Sequence, residues 1–183
     1  MGFPSKVMLK LGLDEKWVNL TMETVCTATY SVLINGEPKG FVTPTRGIKQ
    51  GEPLSPYLFL FYAEGLSAML RKAEEARHLQ GVLSSNDGVR LSHLLFVDDS
   101  LIFCQATMEE CHWLLTVLAQ CEATSGQAIN KQKTTLFFSK NTRANVKHNI
   151  RNLIGARIME DCEKYLRLPM ASGKSKVHTF KDL

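Results

Sequence analysis

Two adjacent acids, Asp98 and Asp99, break an otherwise apolar stretch, VRLSHLLFVDDSLIFC at residues 90–105, and no other feature limits the fold of this chain so strongly. The runs Leu94–Val97 and Leu101–Cys104 each suit a buried strand, and a short polar break between them predicts a β-hairpin with both acids at its tip. A hairpin tip holds two carboxylates at one place beside a sheet, an arrangement of hard oxygen donors that suits Mg²⁺. Asp is also common in ordinary turns, where its side chain bonds to nearby backbone. The pair therefore gains meaning from the blocks around it.

Those blocks alternate helix and strand. Residues 14–28 are predicted as a helix with Asp14 as N-cap and Trp17, Leu20, Thr24 and Cys26 near one face. Thr29–Asn35, rich in β-branched residues and followed by Gly36, is predicted as a strand entering a turn. A Gly- and Pro-rich loop covers Gly40–Pro53, and Pro56 stands in the first turn of a helix reaching about Arg77, with Leu66, Met69, Leu70 and Ala73 at helical spacing. The first turns of that helix are apolar all round, which predicts burial on several sides. Beyond the acids, Thr107–Thr124 is predicted as an amphipathic helix. Thr107 and Glu110 have capping-box spacing, and Met108, Cys111, Leu115, Leu118 and Glu122 track one face. Gly126 stops it, Thr134–Ser139 is a short strand and Asn141–Ile154 a polar helix. The sum is an α+β fold, a small antiparallel sheet backed by helices, with no repeat or linker dividing it.

Composition sets outer bounds. At 183 residues and 44% hydrophobic content the chain is one domain, or part of one, with a real core. A net charge of +4 is compatible with a phosphate-backbone partner but far from the dense basic stripe of a dedicated nucleic-acid binder. Five cysteines without a CxxC pair fit a reducing compartment. Cys111 and His112 do not make a zinc site, because neighbouring helical residues point in different directions. The opening MGFPSKVMLKLG has neither the hydrophobic length nor the cleavage pattern of a signal peptide, and the longest apolar run, Tyr57–Ala63, is far short of a membrane span. An intracellular chain without a membrane partner is expected.

Four blocks in order, TRGIKQGEPLSPYLF from Thr45, HLLFVDDSLIF from His93, SGQAINKQKT from Ser125 and KYLRLP from Lys164, together with YSVLING from Tyr30, resemble the reverse transcriptases of non-LTR, LINE-type retrotransposons, plant ones in particular. The resemblance runs over nearly the whole chain. It implies a polymerase palm-like fold for residues 1–183, with residues 1–28 as a helical lead-in and residues 140–183 beginning the region that leads to the thumb. It also implies a nucleus- or cytoplasm-located enzyme that takes an RNA template, a DNA primer and deoxynucleoside triphosphates.

Roles follow block by block. Asp98 and Asp99 would hold Mg²⁺, or alternatively Mn²⁺, beside Phe96 and Val97, where the family more often has Phe-Ala before the acids. Arg46, Gln50 and Gly51 would contact template and incoming nucleotide, although Glu52 replaces the usual Asp. Lys133 would neutralise charge or donate a proton near the leaving pyrophosphate. Tyr165, Leu166 and Arg167 would grip the primer, although Gly is usual where Arg167 stands. The family's third carboxylate belongs to an aromatic-Asp strand block. Asp14, Glu15, Glu23 and Glu37, the acids before Arg46, have no such context. The resemblance thus predicts an incomplete palm, fingers and thumb largely missing, that is inactive alone and poorly soluble. Two other readings stand beside it: a non-catalytic palm remnant that binds RNA or protein, and a metal-dependent phosphohydrolase in which His93 joins the acids. His93 is better explained as a sheet residue facing a satisfied partner.

Overall fold

The computed structural model describes residues 2–43, 53–83, 88–96 and 99–159, and the backbone of 164–165 and 168–169. In chain order the elements are α1 (Phe3–Lys10), α2 (Glu15–Thr27), β1 (Tyr30–Ile34), β2 (Glu37–Val42), α3 (Ser55–Glu75), β3 (Val82–Leu83), β4 (Arg90–Leu91), β5 (His93–Phe96) and β6 (Asp99–Ile102). They continue with α4 (Met108–Ser125), β7 (Thr135–Leu136), α5 (Ala144–Ile154), β8 (Arg157–Ile158), β9 (Lys164–Tyr165) and β10 (Leu168–Pro169).

Helices form where the sequence caps and spaces them. Asp14 accepts the Lys16 N–H at 2.9 Å to start α2, and Thr107 Oγ1 accepts the Glu110 N–H at 3.3 Å to start α4. Gly126 and Gly155, at φ 73° and 72°, end α4 and α5 in the left-handed conformation. The longest helix, α3, packs on α1, α4 and β5. Its Leu70 and Ala73 join Leu79, Leu114 and Val117 in the buried core, and Ile102 and Cys104 lean on that cluster from the end of the β5–β6 hairpin. Nearer its start, α3 receives α1. The Phe3 ring stacks on Tyr62 with centroids 5.6 Å apart, and a Cβ on Gly65 would lie 2.3 Å from Phe3 Cζ, so the bare glycine admits this close approach.

The strands form five separate two-stranded pairs among the described residues, not the single small antiparallel sheet expected from the sequence. Six of the ten, β3, β4 and β7 to β10, are two residues long. Pair β7–β8 is parallel, and α5 makes its crossover. Strand β2 extends into the expected loop: Gly40, at φ 71°, lies where the β1–β2 register shifts, so this glycine forms a bulge and does not break the strand. The strand expected over Thr134–Ser139 is confined to β7, and α5 begins at Ala144 rather than Asn141.

Three inward faces differ from expectation. In α2, Val18 and Thr21 are buried while Trp17 and Leu20 are exposed. In α4 the buried stripe is Glu110, Cys111, Leu114 and Val117, and Met108 is exposed. A hydrogen-bonded carboxylate inside the domain displaces the face that apolar counting alone would select. At the start of α3, Leu58 is buried but Tyr57 and Leu60 are largely exposed, because α1 covers only part of this turn. Helix α1 lies within the stretch 1–28 expected to be helical, and Pro4 in its first turn is a recognised start signal.

Candidate active site

The acid-bearing hairpin is present in the expected register. Strands β5 and β6 pair His93 with Ile102, Leu94 with Leu101, Leu95 with Ser100 and Phe96 with Asp99. Val97 and Asp98, between the two strands, lie outside the described residues. Asp99 is exposed at the tip end of the hairpin, its carboxylate without a hydrogen-bond or ion-pair partner among the described residues, opposite a half-exposed Phe96. An unpaired carboxylate in water at a fixed strand end is a suitable ligand for a hard divalent cation. No cluster of three or more His, Cys, Asp or Glu among the described residues could hold a metal alone, so Asp99 would act together with other ligands.

Other site candidates divide by what the structure describes. Arg46, Gln50, Gly51 and Glu52 lie outside the described residues, as do Leu166 and Arg167. Strands β9 and β10 pair Tyr165 with Leu168 and Lys164 with Pro169, so these four backbone positions of the expected primer-contacting block form an antiparallel pair. Lys133 is exposed in a turn built by Asn130. The Asn130 side chain accepts the Gln132 and Lys133 N–H groups at 3.1 and 3.2 Å, and its carbonyl accepts the Thr134 N–H at 3.0 Å. Asn130 therefore shapes the loop that presents Lys133, whose ammonium forms no ion pair with Asp99.

At the base of the hairpin is a network that the sequence reading only half found. His93 Nε2 lies 2.8 Å from Ser67 Oγ, His93 Nδ1 lies 2.9 Å from Ser92 Oγ, and Ser92 Oγ donates to Glu74 at 2.9 Å. Burial lowers the His93 pKa, opposed by Glu74 and Glu64 and assisted by Arg71. His93 is thus the satisfied sheet residue expected, and it is turned toward α3, not toward the acids. Ser67 and His93, with Leu60, Glu64 and Leu94, line an open cleft of about 540 Å³ beside the hairpin. Spacing offered a signal for the missed members, since Ser67 and Glu74, seven residues apart, share one face of a helix.

Cys104 and His112 have structural explanations. The Cys104 pKa is raised, first by a hydrogen bond with the Cys111 thiol and then by burial. His112 Nδ1 lies 2.7 Å from the Met108 carbonyl within its own helix.

The chain's class is shown by comparison: the family described as "Reverse transcriptase (RNA-dependent DNA polymerase)" matches residues 4–175. The chain belongs to that family, as a reverse transcriptase domain of the non-LTR retrotransposon kind with a palm-like fold. It is similar to an uncharacterized mitochondrial protein of Arabidopsis thaliana, 39% identical over 114 residues that cover 62% of this chain and 93% of that protein. It is also similar to a retrovirus-related Pol polyprotein from a type-1 retrotransposable element of Popillia japonica, 25% identical over 128 residues that cover 70% of this chain but 20% of the polyprotein. The family uses divalent metal ions, nucleic-acid templates and nucleotides. No helix among the described residues is long and apolar enough to cross a membrane.

Proposed function

We propose that this chain supplies the palm part of an RNA-directed DNA polymerase, with Asp98 and Asp99 as ligands of Mg²⁺ or Mn²⁺. The observation that carries this reading is the β5–β6 hairpin, which starts its second strand on an exposed, unpaired Asp99. In the reaction the primer 3′-hydroxyl attacks the α-phosphorus of a deoxynucleoside triphosphate and pyrophosphate leaves. A divalent metal pair at the acids would neutralise charge on the transferred phosphoryl group and lower the pKa of the attacking hydroxyl. Phe96 and Val97 would pack beside the base pair being formed, Arg46, Gln50 and Gly51 would hold template and nucleotide, and Lys133 would offset charge on the pyrophosphate. Tyr165, Leu166 and Arg167 would position the primer, in a nuclear or cytoplasmic setting.

A second reading, a palm remnant that binds RNA without catalysis, is favoured by one observation. Of the acids in residues 1–43, Asp14 caps α2 and Glu37 pairs with Lys39 at 2.8 Å, while Glu15 and Glu23 lie on α2. A two-metal site without its third carboxylate loses several kcal/mol of transition-state stabilisation, where about 1.4 kcal/mol is tenfold in rate. Primer extension on an RNA template, beside an Asp98→Ala, Asp99→Ala control, separates the readings. Extension that vanishes in the control supports a working polymerase. Salt-dependent template binding without extension supports the remnant, and binding indifferent to both metal and acids overturns the metal assignment.

A further inference from the structure

With His93 neutral, the hydrogen bonds among four polar side chains under the hairpin set one arrangement of protons. The Glu74 carboxylate can only accept, so the single Ser92 hydroxyl proton is spent on it at 2.9 Å. Ser92 Oγ must then accept from His93, which places a proton on Nδ1. In the neutral ring Nε2 is bare, and it accepts the Ser67 hydroxyl proton at 2.8 Å. The opposite tautomer would set lone pair against lone pair at Ser92. Polarity therefore runs from Ser67 through His93 and Ser92 to Glu74, beginning and ending on α3.

The grip is applied where it has leverage. Ser92 is buried, and its carbonyl accepts the Phe103 N–H at 2.8 Å, so residues 92 and 93 form the base of the hairpin. The tip pair Phe96 and Asp99 is three residues further along, about 10 Å at the usual strand rise. A tilt of about 10° at the base displaces the tip by roughly 2 Å, far beyond the ~0.2 Å tolerance of metal–ligand distances.

We propose that Ser67, His93, Ser92 and Glu74 form a proton-ordered clamp that sets the angle of the carboxylate hairpin on α3, which makes His93 a positioning residue for a cation held at Asp99. The second half of that statement rests on the metal-binding reading of the two acids. It goes beyond it by assigning the hairpin's orientation to four residues other than the two acids.

NMR of the whole chain tests it through two readouts, the imidazole nitrogen shifts of His93 and the broadening of the Asp99 and Ser100 amides by added Mn²⁺. The wild type is expected to show a protonated Nδ1 and a bare Nε2. Ser92→Ala is expected to lose that tautomer preference and to reduce the broadening several-fold at equal Mn²⁺. Ser67→Ala, compatible with a helix interior, is expected to keep the tautomer and reduce the broadening less. A wild-type ring protonated on Nε2, or a Ser92→Ala variant with unchanged tautomer and broadening, overturns the clamp. Asp98→Ala with Asp99→Ala should abolish broadening and leave the tautomer intact. Broadening that survives there, or is missing from the wild type, overturns the metal reading and the positioning role with it, while an intact tautomer pattern shows that the clamp itself is not what failed.

Discussion

Glu110 is a carboxylate inside the protein, and its surroundings explain why it is tolerated. One oxygen accepts the Gln80 N–H at 3.3 Å and the Gln105 N–H at 3.0 Å, so a single acid joins the turn after α3 to the segment after β6. Its position suggested a capping box, yet the side chain serves these two distant amides instead. Glu110→Ala leaves two partly buried backbone donors without this acceptor and is expected to lose about 2 kcal/mol in urea unfolding, whereas Glu110→Gln, which keeps an acceptor, loses about 1 kcal/mol. His93 gives a pH signature of definite sign. Its native pKa lies below the ordinary 6.5, principally through burial, so below that pH the unfolded chain takes up the proton more readily than the folded one. Stability from this group is full above pH 6.5 and declines as pH falls toward the lowered native value. The midpoint of thermal unfolding should drop on going from neutral to mildly acid buffer, and His93→Gln should remove that part of the drop.

At the scale of elements, helix ends and turns are fixed by local chemistry, and there substitution effects are simple. Gly126 stands at φ 73° with no atom within 4 Å of an added Cβ, so Gly126→Ala meets only backbone strain. The expected cost is about 1 kcal/mol, measured as a fall in the denaturant midpoint with unchanged slope. The same locality explains what could be read from sequence. Asp14, Thr107, Gly126 and Gly155 announce helix ends, and the two apolar runs around Asp98 and Asp99 announce the hairpin, because each signal lies within a few residues of its consequence. Inward faces were less legible, since the partner decides them: Val18 faces inward on α2 and Trp17 does not. The clamp was hidden for the same reason, because Ser67 and His93 are joined only by tertiary packing between α3 and β5.

The whole molecule pairs a well-filled centre with apolar surface that nothing in the described residues covers. Between α3 and α4 the core is closed, but the β1–β2 hairpin is exposed on every residue, with Leu33 at 69% and Phe41 at 87% of full accessibility. A two-stranded ribbon alone in water is marginally stable, and unpaired strand edges with apolar side chains are templates for another chain. Tyr57 and Leu60 on α3 add to this surface. The chain spans about a fifth of the polyprotein it resembles, so the surface is one that neighbouring parts of a longer protein could cover. Taken alone, it is expected to drive self-association. Sedimentation equilibrium should show an apparent mass that rises with concentration, and Leu33→Lys with Phe41→Lys should move that rise to at least about tenfold higher concentration, since each large apolar side chain withdrawn from a contact forfeits roughly 1.5–3 kcal/mol. A wild-type mass independent of concentration would mean that the exposed hairpin is not adhesive, and the expectation of poor solubility would fall with it.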